Sequence, residues 1–286
     1  CIRDRFSALI FSLLLNSSNL LATIEYSAES TRGNSSFLTI NPDGSYKYDD
    51  STGLDREYIT QWSYGIFESL NLFIPKIMGG GSSEKLDQNS SFYTFLRNNG
   101  YSPIESNQII KNSPTYWGNQ PFVEAPAYLG IVVFFLFVFS VFLYRGNHRG
   151  WLLASIIVSL LLSFGKNFSL LTDFFIDYFP IYDKFRAVSS IQVILELCIP
   201  IFAVLGLSKL ISQEVQYKSK LRALNYTAVL FISILSTLFL FKAYFSYSGV
   251  SDQYMDDSIV EALILSLIHI SEPTRQAEIS YAVFCL

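Results

Sequence analysis

The chain has 286 residues, of which half are hydrophobic, 16% aromatic and only 15% charged, whereas a soluble domain usually carries about 25% charged residues. That composition argues against a soluble globular fold. A formal charge of −4 supplies no basic face of the kind nucleic acid demands, so nucleic acid is excluded as a partner.

At the amino-terminal end, Cys1-Ile2-Arg3-Asp4 resembles the translation of a transposase mosaic-end sequence used in DNA library preparation, and residues 1–5 are read as adapter-derived. Residues 6–25 are apolar as far as Leu15 and more polar beyond it, and read as a partial transmembrane helix. Residues 26–124 are expected to form a long, mixed extracytoplasmic loop region. Within it, Asn41-Pro42-Asp43-Gly44 is a turn signal between the strand-like stretches 37–40 and 45–48, which predicts a small hairpin. From 58 to 75, Ile59, Trp62, Ile66, Leu70 and Phe73 recur at three- and four-residue steps, which predicts an amphipathic helix lying in the interface. The run Gly79-Gly80-Gly81-Ser82-Ser83 has no Lys-Ser or Lys-Thr at Walker spacing and no strand before it, so it is expected to be a flexible connector and not a phosphate cradle. Stretches 83–87, 97–100 and 113–118 read as loops around short helices.

Residues 125–144 carry no charge after Glu124, and about twenty helical residues at ~1.5 Å each cross a hydrocarbon core ~30 Å thick. Residues 188–207 and 223–241 are of similar length and meet positive charge at Lys209, at Lys218, Lys220 and Arg222, and at Lys242. The shorter run 151–164 crosses only if Arg149 and Lys166 snorkel at its ends. Residues 125–244 thus read as a four-helix transmembrane region with an external loop at 165–187, followed by an external segment at 245–264. LSLIHISEPTR at 265–275 looks like the opposite-strand adapter and ISYAVFCL at 279–286 like the primer beyond it, so 265–286 are also read as adapter-derived. The expected fold is an all-α integral membrane protein with about five transmembrane helices and a long mixed extracytoplasmic loop.

With Cys1, His269 and Cys285 assigned to the adapters, Cys198 is the sole thiol left and His148 sits in a tight basic turn. No disulfide framework, zinc site or histidine-based triad is encoded, and no cofactor is indicated. Lys and Arg collect on cytoplasmic loops, so Arg145 with Arg149, and Lys209 with Lys218, Lys220 and Arg222, mark cytoplasmic turns. Alternation then places 26–124, 165–187 and everything after Lys242 outside. The 165–187 loop nevertheless keeps Lys166, Lys184 and Arg186, interleaved with Asp173, Asp177 and Asp183. Basic residues retained on the unfavoured side point to an anionic ligand.

GLDREYITQWSYGIFESLNLFIPKIMG at 53–79, PTYWGNQP at 114–121, GKN at 165–167 and YDKFRAV at 182–188 together resemble the YfhO family of bacterial membrane proteins. That family is similar to the C-type glycosyltransferases. The resemblance implies a multi-pass protein of the bacterial cytoplasmic membrane that takes sugar from a polyprenyl-phosphate donor and passes it to an envelope polymer or lipid acceptor. It also implies a catalytic carboxylate in a first external loop that this stretch lacks, so no catalytic residue is assigned here.

A guanidinium can hold two phosphate oxygens and an ammonium adds a point charge, which makes Arg186 the candidate donor-lipid clamp, with Lys184 and Lys166 as helpers. The alternative is that these three anchor a helix end and pair with Asp177 or Asp183. Glu196, within a span, is costly unless paired or hydrated. With Gln192 and Ser189 it forms a polar stripe that either walls a substrate cavity or hydrogen-bonds Ser233 or Thr237 of the next span. Trp62 and Trp117 are candidates for stacking on a sugar, or belong to an interfacial aromatic belt. Rival functions from other classes are a lipid or polysaccharide transporter or flippase, and a non-catalytic membrane partner of a glycosyltransferase.

Overall fold

The computed structural model describes residues 2–28, 30, 39–40, 46–47, 54–180, 182–241, 247, 249 and 257–265. Almost all of these are helix or turn. The strand pairing among them is one short antiparallel ladder, β1 (Thr39–Ile40) on β2 (Tyr46–Lys47), with Thr39 opposite Lys47 and Ile40 opposite Tyr46. This is the hairpin that the Asn-Pro-Asp-Gly signal predicts; the turn itself, 41–44, falls outside the described residues.

The helices are α1 (Ile2–Leu15), α2 (Ser17–Ala28), α3 (Arg56–Ile59), α4 (Ser91–Asn98), α5 (Pro103–Lys111), α6 (Ile131–Leu143), α7 (Arg149–Ser163), α8 (Ser169–Tyr178), α9 (Gln192–Ile211) and α10 (Tyr217–Phe241), followed by α11 at 257–265. Two helical segments, Val188–Ile211 and Tyr217–Phe241, are long and apolar enough to cross a membrane, and up to four are if each of two bent pairs counts as one span. The first bent pair is α1 with α2, turned by 58° at Asn16, whose side-chain amide donates to the Ser12 carbonyl. The second is α7 with the segment Gly165–Tyr178, turned by 116°. The expected charged loop at 165–187 therefore contains a ten-residue helix, α8, whose Phe174, Tyr178 and neighbouring Phe179 are exposed.

The sequence expectation for 125–144 is shortened by the structure. Helix starts only at Ile131, because Pro126 cannot donate and Gly130 adopts φ 97°, while Leu129 N donates to the Leu72 carbonyl at 2.9 Å. Thirteen residues give about 20 Å of helix. That bond satisfies one backbone N–H of the irregular stretch before α6.

Four of the helices make a bundle. α6 and α9 run parallel and close: Ser140 Oγ donates to the carbonyls of Leu136 at 2.6 Å and Ala203 at 3.3 Å. A Cβ at Gly206 would fall 1.7 Å from that hydroxyl; small residues at such a crossing let backbones approach. α7 packs antiparallel to α9, and Leu152, Ile156, Leu195, Cys198, Ile199 and Phe202 form the central core. α10 lies on α6, with Ala223 against Phe139 and Leu143, and Phe231 against Phe134 and Phe135. The α6–α7 turn and the α9–α10 turn accordingly sit at one end of the bundle, and these are the two turns rich in Lys and Arg.

The opposite end is capped by residues 54–124. The predicted amphipathic helix over 58–75 does not form. α3 stops at Ile59, residues 63–65 are irregular, and a 3-10 helix covers Phe67–Leu72. Ile66 is 59% exposed while the polar Ser63, Glu68 and Asn71 are at most 2% exposed, so the buried set does not follow helical spacing. The glycine run is likewise not a free connector. Gly79 has φ 79°, and a Cβ there would lie 1.8 Å from the Thr115 carbonyl oxygen. Thr115 N donates to Gly81 O and Trp117 N to Met78 O. The cap has its own core, in which Ala262 and Leu263 of α11 meet Leu86, Phe92, Leu96 and Ile110.

Candidate functional site

Where the cap meets the bundle, residues 62–65 cross the ends of α7 and α9. Tyr64 N donates to Ser163 O at 2.9 Å, Ser189 N to Trp62 O at 3.2 Å, Asn167 Nδ2 to Tyr64 O at 2.8 Å and Lys166 N to Ser63 Oγ at 2.9 Å. Gly165 is required at the crossing. It has φ 48°, and a Cβ would fall 2.1 Å from Ser63 Oγ and 2.6 Å from Val188 Cγ2.

Behind this crossing lies a buried carboxylate. Glu68, 1% exposed, accepts from Gly65 N, from the Tyr116 hydroxyl and, at 2.7 Å, from Asn119 N. Burial pushes its carboxyl above the ordinary carboxylate range, against the pull of the Gly65, Asn119 and Gln120 backbone N–H groups. Two chain segments, 65–68 and 116–120, thus meet at one side chain. The Tyr64 hydroxyl is pushed well above the usual tyrosine value, by burial first and then by the charge of Glu68, with a smaller push from Glu196. It lies beside the amides of Asn71 and Gln192 but completes a well-formed hydrogen bond with neither.

Glu196 therefore belongs to the environment of Tyr64. It is half-buried, and the expected bond to Ser233 or Thr237 is not made: Thr237 Oγ1 donates to the Ser233 carbonyl within α10, and α10 packs on α6. Gln192, one turn earlier on α9, donates to Ser163 Oγ at 3.4 Å. The stripe of Ser189, Gln192 and Glu196 read from the sequence does line one wall of the crossing.

The rim carries the charge. Arg186 Nη1 donates to the Tyr58 hydroxyl at 2.8 Å, and its guanidinium carbon sits 5.4 Å from the Tyr58 ring centroid and 5.0 Å from that of Trp62. Trp62 Nε1 in turn donates to Phe122 O at 3.2 Å, so the indole is fixed from both sides. The acids named as possible partners of Arg186 are engaged elsewhere. Arg56 takes Asp173 at 2.8 Å and also Asp177, and Lys184 Nζ is 2.8 Å from Asp183 Oδ2. Arg186 stays exposed, with no carboxylate on it among the described residues. Ala187, left-handed at φ 67°, turns the chain between Arg186 and α9.

The sequence-derived candidates thus divide. Arg186 and Trp62 are in direct contact, Lys166 and Glu196 border the same crossing, and Lys184 is tied to its neighbour Asp183. Trp117 is apart from them. Its ring lies 5.1 Å from that of Tyr247 and packs with Ile77, Met78 and Tyr116. Sequence reasoning missed Tyr58, Arg56 and Glu68. Glu68 alone left a trace, as the one charged residue in 66–74. Among the described residues no three His, Cys, Asp or Glu side chains converge as a metal would require. No protein-family model, curated protein or solved structure matches this chain.

Proposed function

We propose that this chain is part of a multi-pass protein of the bacterial cytoplasmic membrane, resembling the YfhO family, that transfers sugar from a polyprenyl-phosphate carrier to an envelope polymer or lipid. In this reading five segments span the bilayer, and residues 26–124 and 165–187 lie on the outer side. The observation that carries it is Arg186: a guanidinium held against Tyr58 and Trp62, clear of the nearby carboxylates, at the start of a 24-residue apolar helix.

The physics favours such an arrangement for a lipid-linked phosphate. A phosphate on a polyprenyl chain sits at headgroup depth, the level at which the helix Val188–Ile211 begins. Aromatic faces hold the planar fork in place, so less entropy is lost when it clamps two phosphate oxygens. Lys166, exposed less than one helical turn before the start of α8, adds a second positive charge. Lys184 contributes less, since Asp183 neutralises it. Glu68 is too enclosed to serve as the base that activates an acceptor hydroxyl, which needs hydrogen-bond reach to the substrate; its work is to join segments.

The test is transfer of labelled sugar from polyprenyl phosphate in membranes containing the intact protein. Arg186→Ala is expected to lower transfer by about 100-fold or more, as loss of a charge-assisted phosphate contact would, with the amount of protein in the membrane unchanged. Arg186→Lys is expected to recover only part. Wild-type transfer by Arg186→Ala would remove the clamp from the reaction.

A further inference from the structure

At the basic end of the bundle, far from the Arg186 rim, α6, α9 and α10 enclose an apolar groove of about 220 Å³. Phe135, Leu136 and Phe139 form one wall, Leu210 the floor, and Leu221 with Leu224 the other wall. Lys220 lines the same groove and anchors by donating to the Ser212 carbonyl at 2.7 Å, which leaves two of its three ammonium protons for another acceptor. Lys218 and Arg222 are exposed on the same first turns of α10, two positions from Lys220 and so on the other side of the helix. The acid of this turn, Glu214, is paired with Lys209 at 2.6 Å, so no carboxylate opposes Lys218, Lys220 and Arg222 among the described residues.

We infer that this groove is a binding site for one anionic phospholipid, its phosphate on Lys220 and an acyl chain between α6 and α10. The charge is what selects the occupant. An apolar slot alone accepts any lipid chain, but Lys220 at its mouth, with Lys218 and Arg222 at the same depth on the other side of α10, gives this end of the bundle a positive field that favours a net-negative headgroup over a zwitterionic one, and basic pockets between membrane helices bind anionic lipids in this way. α10 makes few other packing contacts, and only 6% of its most apolar window is buried, so a chain wedged against α6 would also fasten α10 to the bundle. The inference rests on α9 and α10 lying in a membrane.

The full chain is expressed and its recovery in the membrane fraction established first; recovery in the soluble fraction would defeat the membrane reading itself. Detergent-solubilised protein is then titrated with phosphatidylglycerol and with phosphatidylcholine, and bound lipid is counted by native mass spectrometry. One phosphatidylglycerol is expected to bind in preference to phosphatidylcholine. Lys220→Ala and the triple variant Lys218→Ala/Lys220→Ala/Arg222→Ala are expected to weaken it roughly fivefold per charge removed. Leu221→Trp, at a half-exposed groove position, is expected to fill the slot and abolish the tight adduct without moving the protein out of the membrane fraction. Equal binding of both lipids, or a tight adduct unchanged in Leu221→Trp, would overturn the site and leave only the ordinary lipid annulus.

Discussion

Glu68 is where a single side chain decides most. Its two oxygens receive donors from Gly65, Tyr116 and Asn119, and every donor is satisfied only by a carboxylate. In Glu68→Gln one oxygen becomes an NH2 group that faces N–H or O–H donors, leaving buried groups unpaired at a cost of about 1–3 kcal/mol each. The expected outcome is a lower thermal midpoint in detergent and faster proteolysis within 54–124. The pH dependence has a definite sign. Burial raises the folded-state carboxyl above its ordinary value, so between those two values the folded protein holds more protons than the unfolded chain, and stability from this group falls as pH rises through the raised value. Glu84 acts in the other direction. Burial pushes its carboxyl up, but Lys76 at 2.7 Å, Thr115 Oγ1 at 2.7 Å and the Gly81 backbone outweigh that and hold it below the usual range. Its contribution is present above the ordinary carboxylate value and is lost as pH falls through the lowered one. A wild-type stability profile that loses its fall with rising pH in Glu68→Gln is the expected signature.

Among the elements, the glycine run distinguishes a packed segment from a tether. A tether tolerates alanine anywhere; this segment does not, because Gly79 combines φ 79° with a Thr115 carbonyl oxygen where the methyl would go. Gly79→Ala is expected to destabilise the cap by on the order of 2–4 kcal/mol, read as a drop in thermal midpoint, while Gly100→Ala, at φ 88° with open space around it, costs only the backbone strain. The contrast shows which parts of the fold were legible. α9 and α10 were readable because length and apolarity alone define such helices, and the β1–β2 pairing because a turn signal is local. The 58–75 stretch misled because its three- and four-residue spacing is real but Ser63, Tyr64 and Glu68 are buried by partners about 50 to 100 positions away, at Tyr116, Ser163 and Lys166. Long-range pairing leaves no periodicity to read. Within the candidate site Arg186 and Trp62 were legible by charge placement and residue type. Tyr58, which completes the rim, carries no signal of its own, being one tyrosine among 18.

For the whole molecule, the arrangement of the ends is the decisive property. The Arg145–His148 turn and the Ser212–Gln216 turn share one end, since Arg149 Nη2 donates to Val141 O at 3.2 Å and Leu210 and Val215 pack beside Leu143 and Ala223. The cap, α8 and the Arg186 rim occupy the other end, where Leu238 of α10 reaches Ile77 and Met78. If basic turns face the cytoplasm, every cap residue lies on the far side of the bilayer, and a single pair of probes reads this out. With Cys1, Cys198 and Cys285 replaced by serine, Ser169→Cys on α8 and Ser219→Cys on α10 each present one thiol at an exposed position. A membrane-impermeant maleimide applied to intact cells is expected to label the first and to reach the second only after permeabilisation. Because both positions are open to solvent in the fold, slow labelling cannot be ascribed to burial, and only the bilayer separates them. Labelling of both without permeabilisation would mean that α9 does not cross, and the reverse pattern would put Arg186 and its aromatic partners on the cytoplasmic face, away from any outward-facing sugar donor.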